Sequence, residues 1–161
     1  MKKQDVLQLF NGLQAVSNLP GAKWSYAVAK NMVKLRPEVE ALQKALTPDQ
    51  EFIEYDKKRQ ELAEKYAVKK DGMPKKVKVG NIEEYLIADK DKFNKELFKL
   101  QETYKKALDE RKKQVDDFIE ILEEKIEVEL HMVDSEYIPE GITPAQLSKV
   151  MPIIREKKVK T

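Results

Sequence analysis

The strongest constraint on how this chain can fold is a narrow apolar stripe in its second half. Phe93, Leu97, Leu100, Tyr104 and Leu108 follow one another at intervals of four, three, four and four residues, and the stripe resumes past Arg111 at Val115, Phe118, Ile119 and Leu122. Residues three and four apart share one side of an α-helix. So narrow a stripe on so long a helix is buried by a second helix lying alongside, as in an antiparallel hairpin or short coiled coil. Asp89 or Asp91 supplies the amino-terminal cap, and the helix is predicted to run to about Glu124. At about 1.5 Å per residue it would span roughly 50 Å, so the sequence predicts an elongated molecule.

The second helix of the pair is predicted at Thr47–Ala67. Thr47-Pro48-Asp49-Gln50 combines a capping hydroxyl, a proline suited to a first helical turn and a glutamine able to reach back to the cap. Phe52, Ile53, Tyr55, Leu62 and Tyr66 then form its apolar side. Ahead of it, Val6, Leu7, Leu9, Phe10, Leu13 and Val16 recur at helical spacing between Lys3 and Asn18. Asn18-Leu19-Pro20-Gly21 ends that helix. Another helix runs from near Trp24 to Leu46, with a kink or short break expected at Pro37.

Two stretches read as β-structure. Between Val68 and Ala88, Asp71-Gly72 and Gly80-Asn81 are turn dipeptides, and Val77-Lys78-Val79 alternates at period two, which predicts a hairpin near 68–87. Glu83 to Ile87 is compatible with a further strand or with the start of the long helix. Ile126, Val128, Leu130 and Met132 alternate with Glu127, Glu129 and His131, which predicts a strand near 126–133. Thr143-Pro144-Ala145-Gln146 repeats the capping pattern ahead of a short helix broken by Pro152. The expected fold is therefore α+β and mostly helical: an elongated antiparallel helical hairpin with a small β-element. Residues 1–154 are read as one domain and 155–161 as a basic flexible tail.

Composition removes several function classes. Charged residues make up 37% of the 161 positions, yet 31 Lys and Arg against 29 Asp and Glu leave a net charge of only +2, so no strong field of one sign points to nucleic acid or a membrane surface. Cysteine is absent, which removes disulfides, thiolate metal sites and cysteine nucleophiles. Apolar runs stay near four residues, as at Tyr85-Leu86-Ile87-Ala88, far below the roughly 20 that cross a bilayer. Met1-Lys2-Lys3 opens directly into an amphipathic segment without the apolar core of a secretory signal. A chain made and kept in the cytoplasm is expected.

Chemistry-bearing residues are equally sparse. His131 is the sole histidine, and zinc or iron sites draw on two or three nitrogen or sulfur ligands, so it is expected on the wet side of a strand and no metal is expected. Glu120, Glu123, Glu124 and Glu127, with Asp116 and Asp117, alternate with Lys112, Lys113 and Lys125 as on a salt-bridged helix exterior. None of the five glycines falls in a phosphate-cradling pattern, and Ser25, Ser135 and Ser148 lack a nucleophile context. No catalytic residue, cofactor or metal ligand is assigned, and the protein is read as no enzyme.

What remains are contact residues. Lys69, Lys70, Lys75, Lys76 and Lys78 crowd the hairpin, and Arg155, Lys157, Lys158 and Lys160 crowd the tail, without the aromatics that base stacking uses, so nucleic-acid contact would be non-specific. The candidate interaction residues are Trp24 and Tyr26 near Pro37, and Lys75, Lys76, Lys78, Tyr85 and Leu86 around the lysine-rich turn, with Trp24 weighed against a place in the core.

Three stretches taken together carry a resemblance. They are Ala22-Lys23-Trp24-Ser25-Tyr26-Ala27-Val28-Ala29-Lys30-Asn31, the acidic-basic helical middle, and Val128-Glu129-Leu130-His131 followed by Ile142-Thr143-Pro144-Ala145-Gln146-Leu147 and Met151-Pro152-Ile153-Ile154. Their order resembles small, functionally uncharacterised proteins of bacteriophage and prophage genomes. The resemblance covers most of the chain and brings no catalytic residues with it. It implies a phage origin, a bacterial host cytoplasm, and a role in assembly, the virion or host manipulation. The expected function is a non-enzymatic interaction protein that binds a host or phage protein through its helical hairpin. The alternatives are a self-associating virion or assembly component of head, connector or tail, and a protein that sequesters nucleotides or other small ligands with the hairpin lysines on the phosphates.

Overall fold

The computed structural model describes residues 1–156. In chain order come α1 (Lys3–Ala15), α2 (Ala22–Ala45), α3 (Gln50–Lys65), four short strands β1 (Lys69–Lys70), β2 (Met73–Pro74), β3 (Lys76–Val79) and β4 (Ile82–Tyr85), then α4 (Lys90–Thr103), α5 (Lys105–Glu123), β5 (Val133–Asp134), α6 (Pro144–Val150) and β6 (Ile154–Arg155). The fold is α+β and mostly helical, and among the described residues the strands form two-stranded pairs only. Where the sequence predicts one domain over 1–154, the chain forms two compact units, Thr47–Val115 and a unit made of Met1–Leu46 with the chain from Asp116 onward. The physical reason is that the main apolar core draws all its residues from the second of these.

In that core-bearing unit, α1 buries Val6, Leu9, Phe10 and Leu13, and α2 buries Trp24, Ala27, Val28, Leu35 and Val39. These positions are three and four apart, so each helix offers one apolar stripe and keeps its charges in water. Gly21 joins the two helices with a φ of 123°, a conformation that glycine adopts without steric cost. At Gly12 an added Cβ would lie 2.7 Å from the Lys149 Cβ, so the missing side chain is what lets α6 approach α1. α2 runs unbroken through Pro37, contrary to the break the sequence allows. Pro37 and Val33 both lie on the exposed side, so the carbonyl that loses its amide partner can turn to water.

The strand expected near 126–133 is the principal correction. Burial does alternate, with Ile126, Val128 and Leu130 packed on the core and Glu127 and Glu129 exposed. The segment is extended, but only Val133–Asp134 is a strand, paired in parallel with β6. Side chains stand in for the missing neighbour. The buried Asn31 amide donates to the His131 carbonyl at 2.8 Å and accepts from the His131 N–H at 2.7 Å, as an adjoining strand residue would. The Lys34 ammonium donates to the Glu129 carbonyl at 2.5 Å, and Met1 exchanges two backbone-level hydrogen bonds with Ile126. A helix can thus satisfy an extended chain wherever a polar side chain reaches it. The alternation slips at His131, leaving Met132 40% exposed and Val133 buried.

In the unit Thr47–Val115, α3 and α4 pack antiparallel. Lys65 and the Tyr66 hydroxyl reach Glu96, while Glu54 and Lys58 reach the Tyr104 hydroxyl, so positions rise along one helix as they fall along the other. Phe93, Leu97 and Leu100 are half-buried along this seam, as their spacing predicts. The cap of α3 is Asp49, whose carboxylate accepts from the Phe52 N–H at 2.7 Å, in place of the expected Thr47. Asp89 caps α4 in the same way. The single helix predicted up to Glu124 is divided at Tyr104, which leaves helical geometry between α4 and α5. Among the described residues no helix is long and apolar enough to cross a membrane.

The expected basic tail is only partly described. Arg155 belongs to β6 and pairs with Asp134 at 2.6 Å, so the flexible segment does not begin there. Residues 157–161, with the lysines assigned to the tail, lie outside the described residues.

Candidate functional site

Between α3 and α4 the chain builds two tight hairpins. Asp71 (φ 53°) and Gly72 (φ 80°) form the first turn, with both central residues in the left-handed region that matches strand twist. Gly80 (φ 65°) opens the second turn with Asn81, and fixes the register Lys76↔Tyr85, Val77↔Glu84, Lys78↔Glu83 and Val79↔Ile82. The chain before β1 closes the base of this ribbon. Val68 donates to the Leu86 carbonyl and accepts from the Lys75 N–H, both at 2.7 Å, and Ala67 bridges to Ile87.

Register decides which side each residue takes, because successive side chains in a strand point to opposite sides. One side of the ribbon carries Val77, Val79, Ile82 and Glu84, and by the same alternation Lys75. The other carries Lys76, Lys78, Glu83 and Tyr85. On this charged side the Lys76 ammonium lies 5.0 Å from the centroid of the Tyr85 ring. On the first side Val79 is 58% and Ile82 64% exposed, directly opposite one another at the tip.

The residues singled out from sequence therefore divide. Lys76, Lys78 and Tyr85 share one side of the ribbon, Lys75 takes the other, and half-buried Leu86 sits at the base beside Val68. Tyr85 is half-buried, with the Lys76 ammonium on one side of its ring. Trp24 is fully buried in the α1–α2 core, which corrects its reading as a contact residue, and its indole N–H has no acceptor among the described residues. Tyr26 is 57% exposed, and its ring meets His131 edge-on at 5.3 Å. His131 is thus half-covered by an aromatic, not on an open wet face as expected. The residues that sequence reasoning passed over are Val79 and Ile82. Their signal was the two-residue turn at Gly80-Asn81, which sets Ile82 opposite Val79 once the register is written out.

A groove lies in the core-bearing unit. Lys23, Tyr26, His131, Asp134 and Tyr137 line a groove of about 330 Å³ at the start of α2. Its polar groups already have partners. Lys23 donates to the Tyr137 hydroxyl at 2.6 Å, which raises the lysine pKa, and Asp134 holds Arg155. Of the hairpin lysines, Lys76 and Lys78 share one side of the ribbon, with Glu83 directly across from Lys78. Among the described residues no three His, Asp or Glu side chains converge as metal ligands would. No protein-family model, curated protein or solved structure matches this chain.

Proposed function

We propose that the protein is a non-enzymatic binding module that engages a protein partner through the apolar side of the β3–β4 ribbon. The observation that carries this reading is the opposed, exposed pair Val79 and Ile82 at the tip, continued by half-buried Val77. Single exposed apolar residues are ordinary on a soluble protein. A contiguous apolar side, on a ribbon too thin to bury it and rimmed by Lys75 and Glu84, has the core-and-rim pattern of an interface. The neighbouring Lys76 and Lys78 would speed encounter with an acidic surface, an effect that fades with salt. The resemblance to phage proteins supports a bacterial cytoplasm as the setting.

A photo-crosslinking residue in place of Ile82, in cells making the full chain, should yield a discrete protein adduct. Adding Val79→Ser should remove it. A crosslinker in place of Tyr26 should give none. An adduct at Tyr26 with none at position 82 would move the interface to α2 and overturn the reading.

A further inference from the structure

We infer that the extended segment Glu127–Met132 is a docking edge for a basic, extended peptide segment of a partner protein, which adds to it as an antiparallel β-strand. This edge belongs to the core-bearing unit, and the inference stands independently of the role proposed for the ribbon.

Backbone hydrogen bonding is the argument. In an extended chain the N–H and C=O of one residue point to the same edge, and those of the next residue point to the other. His131 presents both groups, and Glu129 its carbonyl, to α2, where Asn31 and Lys34 meet them. Ile126 has the opposite parity, so it faces the other edge, and there it exchanges two hydrogen bonds with Met1. Lys2 and Lys125 continue that pairing in the antiparallel sense. Val128 and Leu130 face the same edge as Ile126. Their side chains pack on the core, yet their N–H and C=O groups have no partner among the described residues. Strand pairing resumes only at Val133, beside Ile154 of β6. A run of main-chain donors and acceptors that Met1 begins to pair is therefore left incomplete. Water can serve each group singly, but the complement that matches all of them in register is another extended main chain.

Register then specifies the side chains of the added strand. Continuing from the Met1–Ile126 pair, the residues opposite Val128 and Leu130 exchange two hydrogen bonds with each and point to the core side, so they are apolar. The residues opposite Glu127 and Glu129 form the closer, non-hydrogen-bonded pairs on the wet side. Both carboxylates are exposed and have no ion-pair partner among the described residues, so lysine or arginine complements them. The fitting segment alternates apolar and basic residues over about 20 Å, at roughly 3.4 Å per residue. A second copy of this edge does not meet that requirement. Two-fold pairing that sets Val128 opposite Val128 or Leu130 of the other copy brings Glu129 opposite Glu127 or its own counterpart, and like charges directly opposite are destabilising.

The test uses the full chain and a capped peptide of about seven residues, alternating lysine and valine, with amide exchange read by NMR. Without peptide, the Val128 and Leu130 amides should exchange faster than the His131 amide that Asn31 holds. At about 1 mM peptide both should gain roughly tenfold protection, as expected for a dissociation constant of about 0.1 mM. N-methylation of the peptide's valines, whose N–H groups point into the edge, should abolish binding. N-methylation of its inner lysines, whose N–H groups point away, should leave binding unchanged. Glu127→Lys with Glu129→Lys should weaken binding by roughly tenfold or more, and this variant should prefer the peptide with glutamate in place of lysine. A peptide of the same composition with its lysines and valines in separate blocks should bind the wild type about tenfold more weakly, which separates strand pairing from bulk charge attraction. Protection of both amides in the absence of peptide, or none at about 1 mM, would overturn the inference. So would equal binding of the block peptide, or indifference to which amides are methylated.

Discussion

Replacing Asn31 with leucine tests whether one side chain can stand in for a β-strand. Asn31 is fully buried and makes three hydrogen bonds: to the Ala27 carbonyl at 2.9 Å, to the His131 carbonyl at 2.8 Å and from the His131 N–H at 2.7 Å. Leucine keeps the branched outline but is the larger side chain, so all three bonds vanish and any overpacking adds to the loss. At about 1 kcal/mol net per bond the loss is about 3 kcal/mol, and more if the part-buried His131 groups find no water. For a chain of this size that corresponds to a fall in melting temperature of roughly 6–12 °C. Trp24 is the only tryptophan and lies in the core that Asn31 borders, so urea unfolding followed by tryptophan fluorescence reports on this unit. Hydrogen exchange at the His131 amide should lose its protection in the same variant. A loss below about 0.5 kcal/mol, with the His131 amide still protected, would show that the extended segment is held by its apolar contacts alone.

Three further outcomes follow from other contacts. Gly12→Ala should destabilise by about 1–2 kcal/mol in the same unfolding assay, because overpacking against Lys149 outweighs the gain in helix propensity; a stabilised variant would refute the close approach of α6. Leu100→Asp should cost several kcal/mol by placing an unpaired charge in the half-buried α3–α4 seam, and an unchanged melting temperature would refute that seam. The Tyr66 hydroxyl, then Lys65, hold the Glu96 carboxylate below its ordinary pKa. Its contribution is therefore present above the unfolded-state value and lost as pH falls through the lowered folded one. Glu96→Gln should flatten that acid dependence for the unit Thr47–Val115, as followed by amide exchange in α3, and an unchanged pH profile would assign it to other carboxylates.

Helices and turns were the legible part of this sequence because their causes are local. The stripe Phe93–Leu97–Leu100, the Thr143–Gln146 capping box and the dipeptides Asp71-Gly72 and Gly80-Asn81 each specify their geometry within a few residues. Even the alternation from Ile126 to Leu130 correctly told which side chains face the core. The candidate site was half legible. The hairpin and its lysines were visible, but the approach of the Lys76 ammonium to the Tyr85 ring was not.

By itself the sequence determined a cysteine-free, mostly helical chain, the location of its turns and the amphipathic side of nearly every element, since propensity, capping and periodicity act over one or two turns of chain. Only tertiary structure decided who completes each backbone hydrogen bond and which apolar residues find cover. Asn31 meets His131 across 100 residues, so an alternating segment could be extended without becoming a strand. Trp24 and Val79 are both apolar side chains in well-patterned elements. One vanished into a core assembled from α1, α2 and the carboxy-terminal segments, and the other stayed in water at the tip of a two-stranded ribbon that no further described strand joins.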